Sequence, residues 1–251
     1  MRSPEPILDE RALTGRSRSH VIESTDPPCT LHPEVMSAFL AMREAARSAD
    51  IDLQAASSFR DFDRQLAIWN GKFRGERPMV DRTGRSLDAN ALTPAERVEA
   101  ILIWSALPGA SRHHWGTDLD VFDATKMPER ARLQLVPEEY AKEGPFATLT
   151  RWLDEHMHRF GFFRPYVAAE QGRPSSGVNP EPWHLSYAPL SRRFMNALSV
   201  DVLSRAIEES SLEGRDIVLA SIGEFHRRFI VSVADPPDSL ATKFGEYGRM
   251  V

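Results

Sequence analysis

Apolar residues recur every three or four positions in several stretches of the chain, a pattern typical of helices that bury one face. The stretch 33–47 follows this spacing throughout and is predicted to be a helix. At 93–96, a threonine, a proline and a glutamate occupy the N-cap, first and third positions of a second helix, which we expect to continue to Trp104. Two further helices are predicted over 61–70 and 146–160.

Short apolar segments bounded by polar or turn-forming residues predict strands over 52–59, 117–122 and 184–187. Strands interspersed with helices give a mixed order, so the predicted fold class is α+β. The segment 71–93 is rich in Gly, Pro, Asp and Arg and lacks sustained apolar periodicity. It is predicted to be a long loop, and such loops in compact domains often act as lids. A second loop is predicted over 170–180.

The two ends of the chain differ in pattern from its middle. The first 31 residues are polar, contain prolines and show little periodicity, so we expect an extended arm that wraps over the core. In the tail 191–251, two periodic segments predict helices over 200–208 and 217–229 that pack on the outside of the core. With 251 residues, the whole chain is expected to form a single domain.

Composition limits the partners that the protein can have. Lys and Arg number 31 against 36 Asp and Glu, a net charge of −5. Without a global positive field, nucleic acid is not an expected partner. No apolar run approaches a membrane span or the core of a signal peptide, so we expect a cytoplasmic protein that does not bind membranes. Cys29 is the only cysteine, so a transition metal would have to be held by His and carboxylate ligands.

Two segments place histidines and carboxylates beside predicted strands. The sequence Ser-Arg-His-His-Trp-Gly-Thr-Asp-Leu-Asp covers 111–120, and Glu-Pro-Trp-His covers 181–184. A set of two histidines and one carboxylate leaves the fourth tetrahedral position of a metal open for water or substrate, as in catalytic zinc sites. His113, Asp120 and His184 supply such a set.

The same segments leave one alternative open and contain one further catalytic candidate. His114 and Asp118 also lie in the first segment, and spacing alone does not exclude a ligand set that uses them. Glu181 lies three residues before His184, so its carboxylate can sit beside a metal without binding it. In that position it can accept the proton of an attacking water, and we predict Glu181 to be the general base.

The two segments resemble the motifs of the VanY-type D-alanyl-D-alanine carboxypeptidases, zinc metallopeptidases of the M15 family that are related to the LAS group. The resemblance covers roughly residues 32–190 and includes Ser-x-His-x-x-Gly-x-x-x-Asp followed by Glu-Pro-Trp-His. It implies one Zn²⁺ per chain, held by His113, Asp120 and His184, with Glu181 as the catalytic glutamate. It also implies a small α+β domain whose antiparallel sheet, flanked by helices, carries the metal site. Asp118 stands where the family usually has a small residue.

A third segment supports the resemblance. Ser-Ser-Phe-Arg at 57–60, followed by Gln65, is similar to the family's Ser-Gly-Tyr-Arg stretch with a downstream glutamine. The resemblance implies that Arg60 contacts the peptide terminus, and that Ser57 and Gln65 do so too. Ser111, the first residue of the metal motif, is expected to be a further substrate contact.

Arg60 is the candidate for binding a free terminal carboxylate, because a planar guanidinium can pair with it through two hydrogen bonds. The alternative for this residue is a structural ion pair with Asp61 or Asp63. The carboxylate would then be bound elsewhere, for instance by an arginine of 71–93.

The resemblance implies a zinc carboxypeptidase that removes C-terminal D-alanine from peptidoglycan stem peptides. Because the expected compartment is the cytoplasm, soluble muropeptides are the expected substrates, with L,D-cleavage of tetrapeptides favoured over D,D-cleavage of pentapeptides. Two alternatives remain. One is a peptidoglycan endopeptidase of the same superfamily. The other is a zinc-containing binding module without catalysis, which would be expected to have lost Glu181.

Overall fold

The computed structural model describes residues 9–127, 132–168, 177–236 and 240. Its strands are β1 (Ile22–Thr25), β2 (Pro28–Leu31), β3 (Leu53–Ser57), β4 (Met79–Val80), β5 (Ser86–Leu87), β6 (Asp118–Asp123), β7 (Phe162–Phe163) and β8 (His184–Tyr187). Its helices are α1 (Glu10–Leu13), α2 (Pro33–Arg47), α3 (Phe62–Phe73), α4 (Pro94–Leu102), α5 (Pro137–Tyr140), α6 (Ala147–His156), α7 (Ala188–Ala197), α8 (Val200–Glu208), α9 (Arg215–Ala220) and α10 (Ile222–Phe225). The structure also contains short 3₁₀ turns at Ala89–Ala91, Arg112–Trp115, Ala124–Lys126 and Met157–Phe160, and a π-helical turn at His226–Val231.

A four-stranded antiparallel sheet in the order β3-β6-β8-β7 forms the centre of the fold. Successive side chains of a strand point to opposite faces. Leu119 and Val121 of β6 and Leu185 of β8 therefore pack into one hydrophobic cluster. Asp120 and His184 alternate with them, so both point to the other face of the sheet.

The helices pack in two clusters of buried apolar residues, of which the first includes residues of the sheet. The first cluster lies on the Leu119 face and joins the sheet to α2 and α6, for example through Phe39 and Leu153. The second joins α3, α4 and the chain after residue 190, with Trp69, Ile101 and Leu203 among its members. Helices flanking an antiparallel sheet confirm the predicted α+β class.

Most of the elements predicted from periodicity are present. The helix at 33–47 and the strand at 184–187 have the predicted bounds, and the other predicted strands differ from β3 and β6 by one or two residues at their ends. The predicted capping box is formed, because Thr93 Oγ1 accepts from the backbone N–H of Glu96 and Glu96 Oε2 accepts from that of Thr93. The helix that begins there ends at Leu102, two residues earlier than predicted.

The N-terminal arm and the 71–93 segment contain more structure than their sequences predict. Within the described part of the arm lie α1 and the hairpin of β1 and β2. The 71–93 segment contains the hairpin of β4 and β5 and a 3₁₀ turn. The four strands in these segments have two to four residues each and show no alternation of apolar and polar residues, which explains why the sequence did not predict them. Of the predicted 170–180 loop, residues 170–176 lie outside the described residues.

The tail differs most from its prediction, because it forms part of the core. Helix α8 has the predicted bounds, but its Leu203 and Ile207 are fully buried in the second cluster. The periodic segment 217–229 is not one helix: the helical turns α9 and α10 meet at Ser221, and a π-helical turn follows. Periodicity identifies an apolar face but not the surface that the face covers, so the prediction of an outer layer was wrong.

Throughout the described residues, every helix is too short or too polar to cross a lipid bilayer.

A core position for α8 predicts a large stability loss when its buried face is truncated. Leu203→Ala should lower the free energy of unfolding by about 2–5 kcal/mol, because it removes buried methyl groups and leaves a cavity. Glu208→Ala, on the exposed face of the same helix, should change it by about 0.5 kcal/mol or less. Urea unfolding of both variants provides the measurement. Equally small changes would show that α8 is an outer layer.

Candidate metal centre

Three side chains that are distant in sequence converge on one point at the edge of a cavity. His113 comes from the 3₁₀ turn before β6, Asp120 from β6 and His184 from the first position of β8. One potential ligand atom from each lies within 4.8 Å of the others, and all three side chains are buried. The Asp120 carboxylate is 3.4 Å from His113 Nε2 and 3.1 Å from His184 Nδ1. Ligands about 2.1 Å from a tetrahedral zinc ion are separated by about 3.4 Å, so the set fits such an ion.

The outer nitrogens of both imidazoles are held by hydrogen bonds. His113 Nδ1 lies 2.8 Å from the backbone oxygen of Ser58, which requires a proton on Nδ1 and leaves Nε2 free. His184 Nε2 lies 3.1 Å from Asp118 Oδ1, which leaves Nδ1 free. Both free nitrogens face Asp120, whose buried Oδ1 has no hydrogen bond of good geometry. Such outer hydrogen bonds select the tautomer that a metal-binding histidine needs.

The structure decides against the alternative ligand set with His114 and Asp118. His114 is fully buried, its Nδ1 donates to the Arg60 backbone oxygen, and its Nε2 accepts from the backbone N–H of Gly109. Burial lowers the pKa of His114 to about 3, so this ring is a neutral structural group. Asp118 accepts hydrogen bonds from Arg112, Thr117 and His184, so it orients His184 from outside the ligand set.

Charge balance at the site favours a bound cation. Burial disfavours the charged form of Asp120, but the two imidazoles outweigh burial and hold the pKa of this carboxyl well below its usual range. Burial also disfavours a charged His184, but the neighbouring carboxylates of Asp118, Asp120 and Glu181 raise its pKa well above the usual value. Three carboxylates thus lie around His184, and a divalent cation bound there would offset part of their negative charge. The donor set of two imidazoles and a carboxylate suits zinc.

Gly116 closes the 3₁₀ turn that carries His113. It has a φ of 65°, which an L-residue with a side chain rarely adopts. A Cβ at this position would lie 2.4 Å from Val21 Cγ1 and 3.0 Å from the backbone nitrogen of His32. The glycine of the motif thus lets the chain turn directly from His113 into β6.

Glu181 stands beside the three-residue set. Its Oε2 lies 3.3 Å from His184 Nδ1, and its backbone N–H donates to the Tyr166 oxygen. The side chain is partly exposed and lines the cavity. A carboxylate in this position can exchange a proton with a water molecule at the site.

Arg60 is held in place by neutral side chains. Its Nη1 donates to Gln65 Oε1 at 2.7 Å and its Nη2 to Ser57 Oγ at 3.1 Å. In the part of the chain that the structure describes, it forms no ion pair with Asp61 or Asp63, and Asp61 instead caps α3. The charge of Arg60 therefore remains available to a ligand in the cavity that it lines.

The predicted substrate contacts differ in how accessible they are. Gln65 is fully buried, and its Nε2 donates to the Ala106 oxygen while its Oε1 accepts from Arg60. Each end of the amide makes one hydrogen bond, so Gln65 positions Arg60, and its contact with substrate stays a prediction. Ser57 also contacts Arg60. Ser111 is 1% exposed but lines the cavity next to His113.

The cavity has a volume of about 1060 Å³ and is lined by residues that the sequence did not reveal as part of the site. Lys72 lies two turns after Gln65 on the same side of α3, a spacing that could have indicated it. The rings of Tyr166 and His184 form a T-shaped, edge-to-face contact, with centroids 5.0 Å apart. The tail contributes Phe225 and Phe229 to the cavity wall. Nothing in the local sequence of the tail indicates that contact.

Comparisons with known proteins identify a family for this chain. A family model described as VanY, D-alanyl-D-alanine carboxypeptidase, matches residues 28–190. An uncharacterized protein of Haemophilus influenzae is 34% identical over 125 residues, which are 50% of this chain and 93% of that protein. A D-alanyl-D-alanine carboxypeptidase of Enterococcus faecalis is 27% identical over 147 residues, 57% of this chain and 43% of the relative.

Among solved structures, VanYB in complex with D-alanine-D-alanine has a TM-score of 0.49 and 21% identity, covering 76% of this chain and 89% of that one. The family match covers well over half of the chain and includes the His/Asp/His set, Glu181 and Arg60. The chain belongs to the VanY family of D-alanyl-D-alanine carboxypeptidases and is a hydrolase of the carboxypeptidase class.

Proposed function

We propose that this protein is a zinc-dependent carboxypeptidase that removes the C-terminal D-alanine from peptidoglycan stem peptides. One observation carries the proposal: Glu181 Oε2 lies 3.3 Å from His184 Nδ1, on the cavity side of the His113, Asp120 and His184 set. A binding module without catalysis would need no carboxylate at that position, so hydrolysis is favoured over that alternative.

The residues around the cavity have distinct roles in this proposal. His113, Asp120 and His184 would hold a zinc ion, which would act as a Lewis acid for the scissile carbonyl and lower the pKa of the attacking water. Glu181 accepts the proton of that water and returns it to the departing amine of D-alanine. The peptide bond breaks, and the products are a shortened peptide with a new carboxylate and free D-alanine.

Recognition of the chain end is assigned to Arg60. Its guanidinium lies close enough to Asp120 and Glu181 for their charges to act on it, so a carboxylate bound there would sit near the reacting atoms. Ser57 and Gln65 fix the orientation of the guanidinium. Ser111 is proposed to contact the substrate beside the metal set.

The finer substrate choice is L,D-cleavage of tetrapeptides in preference to D,D-cleavage of pentapeptides. This choice follows from the expectation that the protein meets soluble muropeptides in the cytoplasm. Purified protein with Zn²⁺ should convert disaccharide tetrapeptides to tripeptides, a loss of one alanine by mass spectrometry. Faster loss of alanine from pentapeptides would reverse the choice. Cleavage of cross-linked dimers alone would indicate an endopeptidase instead.

Metal binding and base catalysis should separate in two variants. Glu181→Gln should retain zinc but lose roughly 10²–10⁴-fold in kcat, because an amide cannot accept the proton of water. His113→Ala should lose both zinc and activity. Zinc content by elemental analysis and turnover of the tetrapeptide measure the two effects, with His156→Ala as a histidine control outside the site. A Glu181→Gln enzyme within a few-fold of the parent would disprove the base assignment.

The role of Arg60 can be tested by a cycle of two enzymes and two substrates. Arg60→Ala should lower kcat/KM for a free-acid peptide by roughly 10- to 150-fold, because a charged hydrogen-bond pair is lost. The same peptide with an amidated C-terminus should be a poor substrate for both enzymes, with little further loss in the variant. Equal losses on both peptides would mean that Arg60 is structural.

A further inference from the structure

Lys72, in the last turn of α3, places an ammonium group in the wall of the cavity. Its Nζ donates to Ser105 Oγ at 2.6 Å. An ammonium has three donors, so two remain for other partners. Among the described residues no carboxylate forms an ion pair with it. A partly buried ammonium with one neutral partner is an unusual arrangement, since buried charges are normally paired.

Charges of both signs surround Lys72, and two of them are cations. Burial is the main reason that its pKa falls to about 8, and the nearby charges of Arg60 and Arg77 lower it further. Among the described residues, the charge that acts most strongly on Lys72 is that of Glu181, which opposes this fall and lies in the catalytic site. The side chains of Arg60, Lys72 and Arg77 line one cavity and repel one another. An anion bound between them would reduce both this repulsion and the cost of burying Lys72.

Contacts with α3 fix the position of Arg77, which lies just after the helix. Gly71 precedes Lys72 in α3, and a Cβ at Gly71 would lie 3.0–3.2 Å from three side-chain atoms of Arg77. The missing side chain leaves room for the stem of Arg77 to lie against the helix, and its backbone N–H donates to the Gly71 oxygen. Arg82 also lines the cavity, but its guanidinium donates to Gly177 and Asn179.

We propose that Lys72 and Arg77 form an anion subsite that binds a side-chain carboxylate of the residue on the amino side of the scissile bond. The cavity would then select peptides with an acidic side chain there over peptides with an amide or a lysine. This inference rests on the proposed function and deepens it, because it names the substrate class that the same site prefers.

The order of the cations along the cavity supports this assignment. Arg60 adjoins the metal set and accounts for the terminal carboxylate. Arg77 is exposed, so it marks the mouth, and Lys72 lies close enough to Glu181, Arg60 and Arg77 for the charges of all three to act on it. Once the terminus is held at Arg60, the rest of the peptide has to leave through the mouth. The side chain next to the scissile bond is therefore the part of the substrate that can reach Lys72.

The test compares three peptides that end in X-D-Ala, where X carries a carboxylate, the corresponding amide or an ammonium. Zinc-loaded parent enzyme should prefer the acid. Lys72→Met should lower kcat/KM for the acid by about 10- to 100-fold, mainly through KM, and leave the amide nearly unchanged. Lys72→Arg should keep the preference. Lys126→Met, which removes an exposed lysine outside the cavity, should change nothing.

Binding without turnover separates this inference from the proposed function. Calorimetry with Glu181→Gln and with Glu181→Gln/Lys72→Met measures whether the acid is bound more tightly than the amide and whether Lys72 is the cause. Selective binding without cleavage by the parent would retain the subsite and reject the proposed function. If Lys72→Met lowers kcat/KM for the acid and for the amide by the same factor, the subsite is rejected. The subsite would also be rejected if the loss in Lys72→Met depended on the C-terminal carboxylate of the peptide and not on its side chain.

Discussion

The pairing of β6 with its two neighbours is the constraint on which the site depends. In the antiparallel register, Asp120 faces His184 on β8 and Ser57 on β3. The irregularity of β3 between Ala55 and Ser57 lies at this same point. A shift of one residue would turn Asp120 into the apolar cluster and Leu119 toward the cavity. The hydrophobic face of the sheet therefore fixes the register, and the register in turn brings the metal set together.

A buried network on the same face of the sheet, next to the metal set, gives the site its orientation. Arg112 donates to Asp118 and to Ser186 Oγ, and its guanidinium stacks over Trp115. Asp118 in turn accepts from His184. Removing one partner of a buried ion pair costs about 3–5 kcal/mol, so these groups depend strongly on one another. The carboxylate at 118, which departs from the family pattern, acts as an acceptor for a metal-site histidine and leaves the ligand set unchanged.

The sequence predicted the central elements and the three converging residues, because both leave local signals. Strand β8 and helix α8 have the predicted bounds, and His113, Asp120 and His184 meet as their motifs indicated. What it could not predict depends on contacts between distant segments. Spacing alone left His114 open as a ligand, and only the backbone groups of Arg60 and Gly109 settle its role. The buried position of α8 likewise depends on a partner surface that no local pattern encodes.

The residues that line the cavity extend beyond the segment that the family model matches. His113 and Glu181 lie within 28–190, whereas Phe225 and Phe229 of the tail line the same space. Those rings also belong to the second hydrophobic cluster, together with Leu203. Stability and cavity shape are therefore coupled, because loosening the tail would open the wall that confines a bound peptide. The sheet holds the reacting groups in place, and the tail and the 71–93 segment supply much of the surface that a substrate has to fit.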